Sequence, residues 1–226
     1  MSDAKGILFV ISGPSGTGKG SICAGLSLHG EAVISVSMTT RQPRPGEVDG
    51  KSYYFVEKEA FREIIEKDGF YEYAEVYDEY YGTPKAPVIE KLAEGQNVIL
   101  EIDPQGAKQI KNVSPDCVLV FILPPSLDEL RKRIEGRGSE TPEKIEQRLS
   151  RARNEIKTIE NYDYCVVNHD LDTAIADVEM IIWAEHIEAC GPTNVKPDDK
   201  DKRAMQRANE LRVSENKDTA ALWLDD

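Results

Sequence analysis

The chain has 226 residues, with 28 Lys and Arg against 41 Asp and Glu and a formal net charge of −13. That balance excludes DNA or RNA as the main partner, since polyanion binding leans on a basic face. The longest apolar runs, residues 7–11 and 117–123, are strand-sized and too short to span a membrane. Apolar residues at 40% against 31% charged suit one substantial soluble core with appendages. No secretory-type apolar stretch opens the chain, so the expected location is cytoplasmic. Four scattered cysteines and three histidines without ligand spacing suggest neither a disulfide framework nor a zinc site.

In chain order, residues 6–12 read as a buried strand, followed at once by a glycine-rich turn and a helix over about 19–28. Further strands are expected at 33–37, 97–102, 117–123 and 164–167, several as near-continuous apolar runs of the kind a covered parallel sheet uses. Helices are expected between them. Ser126 with Glu129 makes a capping box for a helix to about 135, and Thr141 with Pro142 marks another helix start. Leu171, Ala174, Ile175, Val178, Ile181 and Ile182 recur at helical spacing, which predicts a helix over about 171–189. The alternation implies a doubly wound α/β sheet. Residues 39–83, rich in Pro, Gly, Tyr and charge, interrupt it as a small insertion with strand-like pieces at 53–56 and 71–76. After residue 191 the chain reads as linker, then a short helix over about 204–213 with Met205, Ala208 and Leu211 on one face.

The turn carries the first chemistry. Gly13, Pro14, Ser15, Gly16, Thr17, Gly18 and Lys19 have the spacing of a phosphate-binding loop between a strand and a helix. Glycines let backbone N–H groups point at a phosphate, the helix N-terminus adds its dipole, and Lys19 supplies a point charge. The usual hydroxyl residue directly after the lysine, a magnesium ligand, is replaced by Gly20, with Ser21 one step later. One residue turns a helical side chain by about 100 degrees, so Mg2+ is expected to be held largely through water and phosphate. Gly-Lys-Gly followed by a hydroxyl residue resembles the adenylate kinases and keeps nucleoside monophosphate kinases in view.

Downstream, Ser37, Thr39-Thr40-Arg41-Gln42-Pro43-Arg44, Gly46-Glu47, Tyr53, Glu72, Tyr81-Gly82-Thr83, Glu101-Ile102-Asp103 and Arg133-Ile134-Glu135-Gly136-Arg137 follow in order. This set resembles the guanylate kinases over about residues 6–188. The resemblance implies a P-loop parallel sheet flanked by helices over residues 1–190. A GMP-binding insertion is implied at about 37–94 and a lid at about 136–156, with residues 191–226 outside as an extension. It also implies ATP-dependent phosphorylation of GMP, and of dGMP, with Mg2+, and leaves a homo-oligomer open.

Guanine offers the donors N1–H and N2–H beside the acceptor O6, so a carboxylate with nearby hydroxyls can read it; Glu72 with Ser37 and Thr83 suits that task. By the resemblance, Arg41, Arg44, Tyr53 and Tyr81 hold the GMP phosphate. Glu101 and Asp103, two apart at a strand end, share a face, and Asp103 is expected near the ribose, phosphate or magnesium. No direct metal ligand is assigned, although Ser21 and Asp103 are candidates. Arg133 and Arg137, and by the resemblance Arg148, are expected to stabilise the transferring phosphoryl group, whereas Arg151 and Arg153 read as solvated. Asn168 resembles the family's adenine-side contact. No nucleophile and base pair stands out, so direct in-line transfer is expected. A kinase of other base preference and a non-catalytic guanylate-kinase-like module remain as alternatives.

Overall fold

The computed structural model describes residues 5–30, 32–76, 78–136, 141–190 and 199–214; Arg137 and Gly138 of the expected lid and residues 191–198 fall outside them. A central sheet runs in the order β2 (Val33–Ile34), β7 (Val98–Glu101), β1 (Leu8–Ser12), β8 (Val118–Leu123) and β9 (Tyr164–Val167). All of its pairings are parallel. Every residue of β1 and β8 is buried, as a strand covered on both faces requires.

The period of two divides the core. Phe9, Ile11, Val120, Ile122 and Tyr164 meet α1 (Lys19–His29) and α7 (Leu171–Cys190) on one face. Leu8, Val10, Leu100, Leu119 and Phe121 meet α3 (Lys85–Ala93) and α4 (Pro104–Val113) on the other. Each fully buried Phe or Ile contributes about 1.5–3 kcal/mol of transfer free energy. Leu130 and Ile134 of α5 (Leu127–Glu135) pack on Ile145 and Leu149 of α6 (Pro142–Ile156), a smaller cluster that carries the lid region.

The expected strand at 33–37 is divided. Only β2 joins the central sheet, and β3 (Met38–Thr39) enters a second, mixed sheet of order β4 (Tyr54–Phe55), β3, β6 (Glu79–Pro84), β5 (Phe70–Val76). Phe61 of α2 (Lys58–Glu66) stacks on Phe70 and Tyr80 with centroids 4.3 and 5.4 Å away and holds α2 to that sheet. Helix starts differ in detail from expectation. Ser126 Oγ accepts the Glu129 N–H at 3.0 Å, but Glu129 sends its carboxylate to Arg133 instead of completing the box. Thr141 occupies the N-cap of α6 without a capping bond from its side chain.

Helix α8 (Asp199–Leu211) starts well before the expected 204, because Asp199 and Asp201 suit the positive first turn. Ala204, Ala208 and Leu211 are buried against α7, while Met205 is only half-buried. Arg207 donates from Nε and Nη2 to both oxygens of the buried Asp177, at 2.7 and 2.8 Å. Trp183 Nε1 donates to Asp201 at 3.0 Å. The helix then runs into an antiparallel bridge between Arg212 and Tyr164.

Removing Arg207 strands the Asp177 carboxylate, so Arg207→Ala is expected to lower the unfolding free energy by about 1–3 kcal/mol, discounted for the partly exposed arginine. Lys202→Ala, at an exposed pair with Asp199, should change it by about 0.5 kcal/mol or less. Urea unfolding followed by tryptophan fluorescence compares the two; equal effects would mean that α8 docks without this ion pair.

Candidate active site

The site begins where β1 ends. Gly13 has φ 135° and Gly18 has φ 94°. A Cβ on Gly13 would lie 2.3 Å from the Ile122 carbonyl oxygen, and one on Gly18 would lie 2.3 Å from Asn168 Nδ2. Both the left-handed backbone and the close approach demand glycine. Between them the buried Thr17 donates from Oγ1 to the Pro14 carbonyl at 3.0 Å and closes the turn. A glycine loop closed in this way at a helix N-terminus is the kind of turn that presents backbone N–H groups to a phosphate.

Lys19 Nζ donates to the carbonyls of Gly13 at 2.6 Å and Pro14 at 3.0 Å. Burial holds its pKa below the ordinary lysine value, against the pull of Glu101, Glu155 and Asp103. Glu101 keeps surface toward the site, yet the protein around its carboxyl raises its pKa, with Lys19 opposing. A Cβ on Gly20 would lie only 3.5 Å from Glu101 Oε1. The Glu101 carboxylate thus lies within ordinary contact of the first turn of α1.

The loop opens onto a cavity of about 940 Å3 lined by Gly13, Ser15, Gly16, Gly18, Lys19, Gly20 and Ser21. Glu101 and Asp103 form one wall, and Lys144, Gln147, Arg148, Arg151 and Glu155 of α6 form another. Arg148 Nη1 donates to Ser15 Oγ at 3.3 Å, tying α6 to the loop. Arg133 donates to Glu129 at 3.3 Å and to the Asn168 carbonyl at 3.0 Å. Asn168, expected on the adenine side, is buried and donates from its side-chain amide to the Thr17 carbonyl at 2.7 Å. Arg137 lies outside the described residues.

A second cluster forms on the smaller sheet. Glu72 is buried and accepts from Thr83 Oγ1 at 2.7 Å. Burial pushes its carboxyl up to about 7, with the Thr83 bond opposing and Asp103 adding to the rise. Arg41 makes a two-armed pair with Glu47, both arms 2.7 Å. The same guanidinium lies 5.1 Å from the Tyr53 ring and 5.7 Å from Phe55, with Tyr81 beside it. Glu47 also accepts the Arg44 N–H at 2.8 Å, and the Arg41 bond above all holds its carboxyl down at about 2. Ser37 is fixed at the head of β3, its carbonyl accepting the Tyr54 N–H at 2.9 Å.

Asp103 joins the two clusters. Its Oδ1 caps α4 by accepting the Gly106 N–H at 2.8 Å. A Cβ on Gly106 would lie 3.2 Å from Glu72 Oε2 and 3.5 Å from that Asp103 oxygen, so both carboxylates gather at one backbone position. Asp103 Oδ2 accepts from Arg151 at 3.0 Å. Arg151, expected to be solvated, is indeed largely exposed and also lines the cavity. The signal was its place three residues after Arg148 on the same helix face. Glu155, and the part Glu47 plays beside Arg41, carry no sequence signal, because acidic groups among expected anion binders look like bystanders.

The family model described as guanylate kinase matches residues 5–185. The guanylate kinase of Clostridioides difficile (strain 630) is 56% identical over 182 residues, covering 80% of this chain and 89% of its own length. That of Thermus thermophilus is 49% identical over 185 residues, covering 82% and 83%. The crystal structure of guanylate kinase from Anaplasma phagocytophilum aligns with a TM-score of 0.67 at 34% identity, covering 84% of this chain and 91% of that one. With the loop, the carboxylate pair and the arginine-lined cavity in one fold, and these matches spanning most of the chain, the protein belongs to the guanylate kinase family.

Proposed function

We propose that the protein transfers the terminal phosphoryl group of ATP to GMP, and to dGMP, by direct in-line displacement. The observation that carries this reading is the meeting of two unlike clusters at Asp103: a phosphate loop with its cavity on one side, and a buried carboxylate with its hydroxyl partner on the other. In this reading Gly13 to Ser21 cradle the ATP phosphates. Glu72, Ser37 and Thr83 read the guanine, and Arg41, Arg44, Tyr53 and Tyr81 take the acceptor phosphate. Residues 37–94 serve as the GMP-binding part, and 136–156 as the lid.

Phosphoryl transfer asks for positioning and for charge stabilisation on the equatorial oxygens. Lys19, Arg133 and Arg148, with Arg137 from the lid, supply that charge. Lys19 and Arg148 line the cavity, which supports turnover over a binding-only module. Adenine would leave the buried Glu72 without guanine's two donors, which favours GMP over AMP.

Ser21, Glu101 and Asp103 present hard oxygen donors to the same cavity, a set that fits Mg2+ held partly through water. When bound, the ion would neutralise charge on the phosphates. We place the reaction in the cytoplasm, in keeping with the buried free Cys23, Cys117 and Cys165.

Lys19→Ala is expected to lower kcat by about 10²–10³-fold, with GMP affinity retained; a coupled assay and GMP titration calorimetry check it, and full turnover would remove Lys19 from transition-state binding. A second outcome concerns pH. Guanine's donors select ionised Glu72, so GMP affinity should be flat well above pH 7 and weaken as pH falls through the raised value of about 7. The GMP phosphate titrates too, near pH 6. Calorimetry across about pH 5.5–8.5 on the parent and Glu72→Gln isolates the difference, which should vanish in the variant; identical pH slopes would rule out Glu72 as the base reader.

A further inference from the structure

Helix α6 presents Lys144, Gln147, Arg148, Arg151 and Glu155 to the cavity, at offsets of three, four, seven and eleven residues that place them on one face. Two of these side chains cross the cavity to opposite sides. Arg148 reaches the loop at Ser15, and Arg151 reaches Asp103 Oδ2 at 3.0 Å. The base of that second arm is anchored. Arg151 Nε donates at 2.6 Å to Glu155 Oε1, whose side chain is only 14% exposed. Asp103 is then held at both oxygens, by Arg151 on one and by the α4 cap on the other. Gly106, whose N–H that cap satisfies, is also where Glu72 Oε2 comes close.

An ion pair with side chains 63% and 48% exposed adds little to stability, so its effect lies in geometry. We propose that Arg151 is a positioning residue for the acceptor nucleotide: it fixes the Asp103 carboxylate beside Glu72 and so sets the acceptor half of the site from the helix that carries the lid's C-terminal part. This rests on the GMP kinase reading. A planar guanidinium can hold Glu155 and Asp103 at once in fixed directions, whereas a lysine offers a single mobile ammonium.

The test compares the full-length parent with Arg151→Ala and Arg151→Lys in steady-state kinetics with GMP and ATP varied separately, and in thermal melting. Arg151→Ala should raise KM for GMP about 5–10-fold and move KM for ATP less than about twofold, with an unchanged Tm. The lysine variant should recover part of the loss. Unchanged kinetics, a rise confined to KM for ATP, or a joint rise of both with a fallen Tm would each overturn the proposal. A parent that turns over no GMP at all would instead overturn the kinase reading, so the two failures are distinguishable.

Discussion

Close approach to the backbone of the phosphate loop governs this site. At Gly13 the loop passes so near β8 that a side-chain carbon would overlap the Ile122 carbonyl, and at Gly18 one would overlap the Asn168 amide. The loop is therefore seated between two strand ends, and the groups around it inherit its position. The Asn168 amide bonds the Thr17 carbonyl, while the Asn168 carbonyl holds Arg133. One buried residue at the end of β9 thus registers both the phosphate cradle and an arginine of the neighbouring helix. A buried amide satisfied in this way is hard to replace, because an apolar substitute would leave a buried carbonyl without this donor.

The cations of the site share a second property. Lys19 rests on loop carbonyls, Arg41 on Glu47, Arg133 on Glu129 and Asn168, and Arg151 on Glu155 and Asp103. In a chain of net charge −13, two phosphorylated anions must be accepted against an unfavourable long-range field. Each internal partner orients a cation before the ligand arrives and cuts the ordering cost of binding. Binding then exchanges one anionic or dipolar partner for another. The strong pairing of Arg41 with Glu47, flanked by Tyr53 and Phe55, is the clearest case.

The parts legible in the sequence were those with a short period or a fixed spacing. β1 and β8 announce themselves as apolar runs and α7 by its helical recurrence, and the loop glycines and Lys19 stand in one unbroken segment. The strand Glu79–Pro84 carries no such signal because it is polar and ends in proline; its pairing with β5 on one side and β3 on the other makes it a strand. The start of α8 was hidden in a charged run that reads equally well as linker until Arg207 finds Asp177. Asp103 was marked from its place at a strand end, but its partner Arg151 lies 48 residues away, a distance no local pattern spans. Glu72 was chosen for its chemistry, and its burial beside Thr83 depends on a hairpin that the sequence only partly revealed.

The bridge between Arg212 and Tyr164 carries a further consequence. β9 is the outer strand of a five-stranded parallel sheet, and an unpaired outer strand is a template onto which another chain can add. Here the segment leaving α8 lies against it: Arg212 pairs with Tyr164, and the Val213 N–H donates to the Asp163 carbonyl at 3.1 Å. The opposite edge is the two-residue β2, too short to template much. Arg212 and Val213, beyond the family match, thus cover the start of the β9 edge and oppose strand addition there. A chain lacking them would present that stretch of β9 bare to its neighbours.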